Sequence, residues 1–149
     1  MAWTLPIEGG CLCGTLRFRV TEPPLLAAAC HCRGCQQMTG SAFSTTLIVP
    51  ASGFERLAGE PVKGALRRAD QHHWHCPECH GWVWSSFNGA PEIVNVRATQ
   101  LDDPAPFRPL VETGTADKLP WASTGARHAF AGFPEPERYE PLVAEYRSV

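Results

Sequence analysis

The sequence of 149 residues has no cluster of basic residues, no long apolar segment and no internal repeat. Its formal net charge is −2, and because proteins that hold a nucleic-acid backbone need clustered cations, we expect no nucleic-acid partner. No apolar run approaches the roughly 20 residues that cross a bilayer, so we expect no membrane association. The first residues, "MAWTLPIEGG", lack the basic start and apolar core of a signal peptide, which predicts a cytoplasmic protein.

The motifs of several common enzyme classes are missing as well. We find no glycine-rich P-loop, no nucleophile elbow of the form Gly-x-Ser-x-Gly and no convincing pair of catalytic carboxylates. These absences argue against a P-loop nucleotide hydrolase and against a hydrolase of the α/β class.

The sequence does contain short segments with strand character. Four of them are rich in β-branched or alternating apolar residues: GTLRFRVTE (14–22), FSTTLIVP (43–50), WVWSSF (82–87) and EIVNVRA (92–98). Helical signals are weak: RGCQQMTGS (33–41) predicts about one turn, and EPLVAEYRS (140–148) predicts a short helix or a last strand. The proline-rich segment 102–141 predicts sparse regular structure. Together these patterns predict one domain, residues 1–149, that is mainly β with few short helices.

Seven cysteines occur in three groups, which favours metal binding over disulfides. The number is odd, and the predicted cytoplasmic location keeps thiols reduced. The pairs Cys11/Cys13 and Cys76/Cys79 together supply four thiolates, which is a closed tetrahedral shell for zinc. These four cysteines therefore predict a structural zinc site that joins the first strand region to the middle of the chain.

The third group, Cys30, Cys32 and Cys35, supplies only three thiolates. Three protein ligands and an open position are typical of a catalytic zinc site, and a substrate thiol is a suitable fourth ligand. Three alternatives remain open from the residues alone. The triplet could be completed by a histidine, because the segment HHWHCPECH (72–80) is rich in that residue; the clusters could combine differently in one site; or all seven cysteines could be buried or redox-active thiols.

The segments GGCLCGTLRFRV, CHCRGCQQMTGSAF and HCPECHGWVW, followed by LDDP and Pro120–Trp121, resemble the glutathione-dependent formaldehyde-activating enzyme family, also called the centromere-protein-V-like domain. The resemblance covers residues 8 to 121. It implies a zinc-anchored fold of folded-over antiparallel sheets (a β-tent) and two Zn²⁺ ions per chain. It also implies that Cys11, Cys13, Cys76 and Cys79 are structural ligands and that Cys30, Cys32 and Cys35 are ligands of a labile, catalytic ion.

The activity implied by the resemblance joins glutathione to formaldehyde and gives S-hydroxymethylglutathione, formally a carbon–sulfur lyase reaction. The expected partners are a glutathione-like thiol and a small aldehyde, and the chain is expected to be a monomer or a homodimer. The sequence departs from the family pattern in two places: His80 precedes Gly81 after the last cysteine, and LVETGTADKLPW (110–121) has no histidine. The second departure concerns the choice of thiol. The alternatives are a related enzyme of another small thiol and a non-catalytic, zinc-stabilised interaction module.

Several other side chains are candidates for lesser roles. His31 is expected to hydrogen-bond a carbonyl group beside its neighbouring ligands, with a proton shuttle as the alternative. Arg33 could meet an acidic thiol, and the polar residues after it could bind a peptide-like substrate: Gln36, Gln37, Thr39 and Ser41. The tryptophans Trp74, Trp82, Trp84 and Trp121 are predicted to lie in the core or in a pocket wall. Asp102 and Asp103 are predicted to serve a turn before Pro104.

Overall fold

The computed structural model describes residues 3–64 and 69–149, and in these ranges it shows a mainly β chain with two α-helices. The predicted fold class, mainly β with few short helices, is confirmed. The strands are β1 (Ile7–Gly10), β2 (Arg17–Val20), β3 (Leu26–Cys30), β4 (Ser44–Pro50), β5 (Phe54–Ala58), β6 (Val62–Lys63), β7 (Gln71–His75), β8 (Trp82–Phe87), β9 (Ile93–Arg97), β10 (Val111–Thr113) and β11 (His128–Ala129). The helices are α1 (Arg33–Thr39) and α2 (Pro136–Ser148).

The strands form two sheets. The smaller has the order β1-β2-β5, and the larger has the order β11-β10-β3-β4-β9-β8-β7-β6. All pairings are antiparallel except those of β10, which runs parallel to both β3 and β11. The expected antiparallel sheets are therefore present, and the larger one gains a parallel edge that the sequence did not predict.

An apolar core fills the space between the two sheets. Leu16, Phe18 and Val20, the apolar side chains of the alternating segment 14–22, are completely buried. The ring of Phe18 lies 5.7 Å from that of Phe54 on β5 and 6.4 Å from that of Trp84 on β8, measured between centroids. Burying one such side chain stabilises the fold by about 1.5–3 kcal/mol, so this cluster is a main link between the sheets.

The larger sheet also carries a row of polar side chains on β7, β8 and β9. His73 Nδ1 and Ser85 Oγ are 2.7 Å apart, and Trp82 Nε1 donates to the same hydroxyl at 3.0 Å. The guanidinium of Arg97 lies over the Trp82 ring, 4.2 Å from its centroid. These contacts bring buried polar groups to the end of the sheet where the cysteines lie.

The four predicted strand segments appear as β2, β4, β8 and β9, and the single turn predicted after Cys35 appears as the seven-residue helix α1, which begins earlier, at Arg33. The segment 140–148 is helical and forms most of α2, which begins at Pro136. The proline-rich segment 102–141 is mostly irregular but contributes β10 and β11. Neither helix in the described part of the chain is long and apolar enough to cross a membrane.

Candidate metal centres

Four cysteine side chains from two distant loops converge on one point. Cys11 and Cys13 follow β1, and Cys76 and Cys79 lie in the turn between β7 and β8. Their sulfur atoms all lie within 4.8 Å of one another, and Cys13 Sγ is 3.6 Å from both Cys11 Sγ and Cys76 Sγ. A tetrahedral zinc ion with bonds of about 2.3 Å needs sulfur atoms about 3.8 Å apart, whereas a disulfide needs about 2 Å. The arrangement therefore fits a metal ion and not a disulfide.

Hydrogen bonds around this four-cysteine centre favour the thiolate form that a metal requires. The backbone N–H of Leu16 donates to Cys11 Sγ at 3.2 Å, and that of Glu78 donates to Cys76 Sγ at 3.4 Å, although burial is the larger effect at Cys76 and raises its pKa to about 11. The pKa of Cys13 is lowered to about 6, mainly by the hydrogen bond with the Thr15 hydroxyl, whose oxygen lies 3.2 Å from Cys13 Sγ. Such bonds are typical of the supporting shell of a metal site.

A second group of thiols lies where β3 passes into α1. Cys30 ends the strand, Cys32 caps the helix with extended backbone angles, and Cys35 lies in its first turn. The three sulfur atoms lie within 4.8 Å of one another, and no further histidine, cysteine or carboxylate in residues 3–64 and 69–149 joins them. The local cause is the change from strand to helix, which turns three closely spaced side chains toward one point. This three-cysteine centre can hold a metal ion and leaves a tetrahedral position open.

The thiols of the three-cysteine centre share their protons unequally. Hydrogen bonds from the thiols of Cys30 and Cys35, with further bonds from backbone N–H groups, lower the pKa of Cys32. The same sharing raises the pKa values of Cys30 and Cys35. One thiolate is therefore already favoured in the absence of a metal, and metal binding would release protons from the other two.

A buried polar network connects the loop of the three-cysteine centre to β10 and the segment after it. His31, between two of the cysteines, is completely buried, and its Nε2 lies 3.2 Å from Glu112 Oε1 on β10. Burial raises the pKa of Glu112, but hydrogen bonds from Lys118 Nζ at 2.7 Å and Thr124 Oγ1 at 2.6 Å outweigh it, so its pKa lies below the usual value. The network ties the ligand loop to the segment that follows β10.

The segment after β10 also contacts the ligand loop directly. Gly114 has φ +63°, and a Cβ added to it would lie 2.8 Å from the backbone nitrogen of Cys32. Gln36 Nε2 donates to the carbonyl of His31 at 2.7 Å and to that of Asp117 at 2.9 Å. Only glycine permits this close approach without strain, so the segment fixes the position of Cys32.

A cavity of about 420 Å³ adjoins the three-cysteine centre. Ser44 belongs to its wall and lies opposite Cys30 in the pairing of β3 with β4, which places the cavity beside this centre. The other wall residues come from α1 and the loop after it, from β4, from the turn after Cys79 and from the end of β9: Met38, Thr39, Ser41, Phe43, Thr45, His80, Gly81, Trp82, Arg97, Thr99 and Gln100. Its volume suits a small ligand, and its wall offers hydroxyl, amide and guanidinium groups beside three aromatic or apolar side chains.

Residues 6–117 match the sequence profile of the glutathione-dependent formaldehyde-activating enzymes. The chain belongs to this family. A protein of Halomonas elongata, whose name places it provisionally in the same family, is 28% identical over 142 residues, which cover 87% of this chain and 89% of the relative. A crystal structure of a Rhodobacter sphaeroides protein superposes with a TM-score of 0.55 at 20% identity, over 66% of this chain and 91% of the other, and shows the likeness of the fold.

In this member of the glutathione-dependent formaldehyde-activating family, the structure brings the seven cysteines together in the two predicted groups. That each cysteine is a metal ligand stays a prediction. No histidine in the described ranges joins the three-cysteine centre, which argues against a closed site completed by histidine. The separation of the two groups likewise argues against one mixed site.

The lesser candidates divide between the pocket and the scaffold. Thr39, Ser41 and Trp82 line the cavity, whereas Gln36 is buried in the supporting network. Trp84 is in the core, as predicted, but the expectation for Trp121 is wrong: it lies in the turn after Pro120 with 73% of its surface exposed.

The remaining candidates lie at the surface or in turns. Arg33 and Gln37 are exposed and are not among the residues of the cavity wall. Asp103 serves the predicted turn, since its carboxylate accepts from the N–H of Ala105 at 3.0 Å. Asp102 instead pairs with Arg17 through two hydrogen bonds of 2.7 and 2.5 Å.

Sequence reasoning missed Arg97, Thr99 and Gln100 of the cavity wall. Arg97 ends a strand segment, where an arginine is ordinarily exposed, and nothing in its neighbours distinguishes it from a surface residue. The period-two alternation of β9 does separate it from Val94 and Val96, which are buried in the core. The alternation alone could not show that the face of β9 that carries Arg97 is also buried.

Proposed function

We propose that this chain is a zinc enzyme that forms or cleaves a thiol–aldehyde adduct, with glutathione and formaldehyde giving S-hydroxymethylglutathione. The activity is that of a carbon–sulfur lyase, named for the reverse direction. The observation that supports it most directly is the gathering of Cys30, Cys32 and Cys35 without a fourth side-chain donor in the described ranges. Three protein ligands with an open position are the usual composition of a catalytic zinc site.

The two centres have different roles in this proposal. The four-cysteine centre, complete in itself, would hold a structural ion, and the three-cysteine centre would hold the labile ion at which thiols bind. Zinc bound there would lower the pKa of a thiol ligand and keep its sulfur as a thiolate. We place the protein in the cytoplasm, because a reducing compartment keeps all seven cysteines available as thiols.

The chain itself contributes position and shape. The segment after β10 fixes Cys32 through Gly114, and the network around Glu112 fixes the backbone of His31 between its two neighbouring cysteines. In the adduct-forming direction the thiol loses its proton, a sulfur–carbon bond forms, the π bond of the aldehyde breaks and the oxygen gains a proton. The cavity wall offers the hydroxyls of Thr39 and Ser41 to a bound substrate.

The cavity favours an enzyme over a non-catalytic module. An ion that only stabilises a fold needs a closed ligand shell, and it has no use for an adjoining space of this size. The four-cysteine centre has the closed composition, and the cavity wall includes Ser44, which lies opposite Cys30 of the centre that lacks a ligand.

The test is NMR exchange spectroscopy of glutathione and formaldehyde with catalytic amounts of zinc-loaded protein. We expect the native chain to accelerate the exchange between free glutathione and its adduct, and the Cys32→Ser variant to leave it at the uncatalysed rate. Gln37→Ala, on the exposed side of α1, is the matched control and should behave like the native chain. An unchanged exchange rate with fully zinc-loaded native protein would reject the activity and leave the family assignment intact.

A further inference from the structure

Arg97 is a buried cation that has no carboxylate partner in the part of the chain the structure describes. Only 5% of its surface is exposed, and no ion pair in residues 3–64 and 69–149 includes it. Its Nη1 donates to Ser44 Oγ at 3.3 Å and its Nη2 to the carbonyl of Asn95 at 3.2 Å. Its Nε is buried without a hydrogen-bond partner, and the guanidinium lies over the Trp82 ring.

A guanidinium in this environment needs negative charge nearby. Burying an ionised side chain is costly unless an opposite charge compensates, and removing that partner typically destabilises a protein by several kcal/mol. Burial lowers the pKa of Arg97 to about 10, and the charges of Cys35 and Cys30 oppose that effect. Arg97 is therefore charged at neutral pH, and the thiols of the neighbouring centre would supply the opposing negative charge once a bound metal ion has deprotonated them.

The contacts of Ser44 connect Arg97 to the three-cysteine centre. The Ser44 hydroxyl accepts from Arg97 Nη1, and Ser44 lies opposite Cys30 in the pairing of β3 with β4, so its side chain is on the same face of the sheet as that of Cys30. Both Ser44 and Arg97 belong to the wall of the cavity. The guanidinium thus lies beside the space that a fourth ligand of this centre would enter.

We propose that Arg97 is the counter-charge of the three-cysteine centre and makes it select an anionic fourth ligand over a neutral one. The proposal rests on the proposed function, because it requires a divalent ion at this centre. Three thiolates and one divalent ion carry a net charge of −1, and a fourth, bound thiolate makes the net charge −2. A neutral donor adds no charge, so the positive charge of Arg97 stabilises the thiolate complex more than the neutral complex. Arg97 acts through the electrostatics of the site and is a positioning residue.

The experiment compares two ligands on the cobalt-substituted protein, in which ligand exchange at the three-cysteine centre changes the visible absorption spectrum. The ligands are 2-mercaptoethanol, which binds as a thiolate and has no carboxylate, and imidazole, which is neutral. An opposite charge nearby typically favours a charged form by one to three pKa units, so Arg97→Gln should weaken 2-mercaptoethanol about tenfold or more. Imidazole should bind with unchanged affinity, and Arg97→Lys should recover most of the thiolate affinity.

Three controls make the result specific. Arg127→Gln removes an exposed arginine that pairs with Glu145, and it should leave both affinities unchanged. Circular dichroism establishes that each variant is folded; if Arg97→Gln is not, Arg97→Met replaces it, since methionine keeps the apolar contact with Trp82. Glutathione is measured in parallel to detect any direct recognition of a carboxylate.

The outcomes separate this inference from the proposed function. A tenfold or greater loss confined to the thiolate ligands supports the inference. Equal losses for both ligands, no loss, or a loss confined to glutathione would overturn it, the last because Arg97 would then recognise a carboxylate. If the native cobalt protein responds to no thiol, the proposed function itself fails; a native response that Arg97→Gln leaves unchanged defeats only the inference.

Discussion

At the scale of single residues, the seven cysteines differ in their surroundings, and this difference supports their different roles. Cys76 is completely buried beside the core, whereas Cys32 is partly exposed at the start of α1. The four-cysteine centre joins loops of two different sheets, while the three-cysteine centre is built within six residues of one segment. Loss of a ligand should therefore affect the fold in the first case and ligand binding in the second.

We predict that Cys76→Ser gives poorly folded protein, and that Cys32→Ser stays folded but loses one metal ion per chain. A structural zinc ion has an apparent binding free energy on the order of 10–16 kcal/mol in small zinc domains, which is comparable to the whole stability of a domain. Thermal unfolding followed by circular dichroism, together with metal analysis, measures both effects. Aggregation of Cys32→Ser to the same extent as Cys76→Ser would contradict the division of roles.

We predict that His80→Gly stabilises the protein by up to about 1 kcal/mol, because His80 is a non-glycine residue with φ +60°. Its side chain is exposed, so little packing is lost. His72→Gly on strand β7 is the matched control and should destabilise, since glycine within a strand is unfavourable. Urea unfolding of the zinc-loaded proteins gives both changes, and a lower stability of His80→Gly than of the native chain would refute the argument.

At the scale of elements, the parallel pairing of β10 with β3 determines where the three-cysteine centre lies. Thr113 is opposite Cys30 in that pairing, and the carbonyl of Thr113 accepts from the N–H of His31 at 2.8 Å. The segment that follows β10 then lies against Cys32. The ligand loop is therefore held by residues more than 80 positions away in the sequence.

We predict that Gly114→Ala weakens metal binding at the three-cysteine centre, because the new Cβ would collide with the backbone of Cys32. Gly125→Ala is the matched control, since Gly125 has φ +72° and nothing lies within 4 Å of an added Cβ. Both variants should lose about 1–2 kcal/mol of stability from the positive φ. Competition with a chromophoric chelator should show weaker binding of the labile ion only in Gly114→Ala, and equal affinities in the two variants would count against a clamping role.

Elements with a regular pattern could be predicted from the sequence, and those defined by distant contacts could not. Segments with β-branched or alternating residues gave the strands β2, β4, β8 and β9. Strand β3, with the sequence LAAAC, is buried along its whole length and has no alternation to detect. Strand β7, with the sequence QHHWH, has a polar composition. The cysteine groups were predictable because the cysteines within each group are only a few residues apart. The position of Arg97 and the shape of the cavity depend instead on how β4 and β9 pair.

At the scale of the whole molecule, a buried neutral histidine makes stability depend on pH. Burial lowers the pKa of His73 to about 4, and the charges of Arg97, His75 and His72 act in the same direction, while Cys32 opposes them. An unfolded chain binds that proton near pH 6.5. Between these values the unfolded state binds more protons than the folded state, so stability falls as the pH falls.

We predict that the native protein loses about 3 kcal/mol more stability than His73→Gln between pH 7 and pH 4. Glutamine keeps a hydrogen-bonding group near Ser85 but does not titrate in this range. Urea unfolding of both proteins in the same excess of zinc separates this effect from acid release of the metal, which both proteins share. Parallel stability curves over this range would show that His73 is not responsible.

The spacing of the cysteines has a consequence for protein synthesis. All three cysteines of the three-cysteine centre have been translated once residue 35 has left the ribosome, before the segment after β10 that holds Cys32, whereas the four-cysteine centre must wait for residue 79. Chains emerge at about 5–20 residues per second, so for about two seconds or more the nascent polypeptide has only the three-cysteine group with which to bind a metal ion. Under the proposed roles, the labile ion is thus the one that can bind first, and the structural ion can bind only after both pairs of its cysteines have been translated.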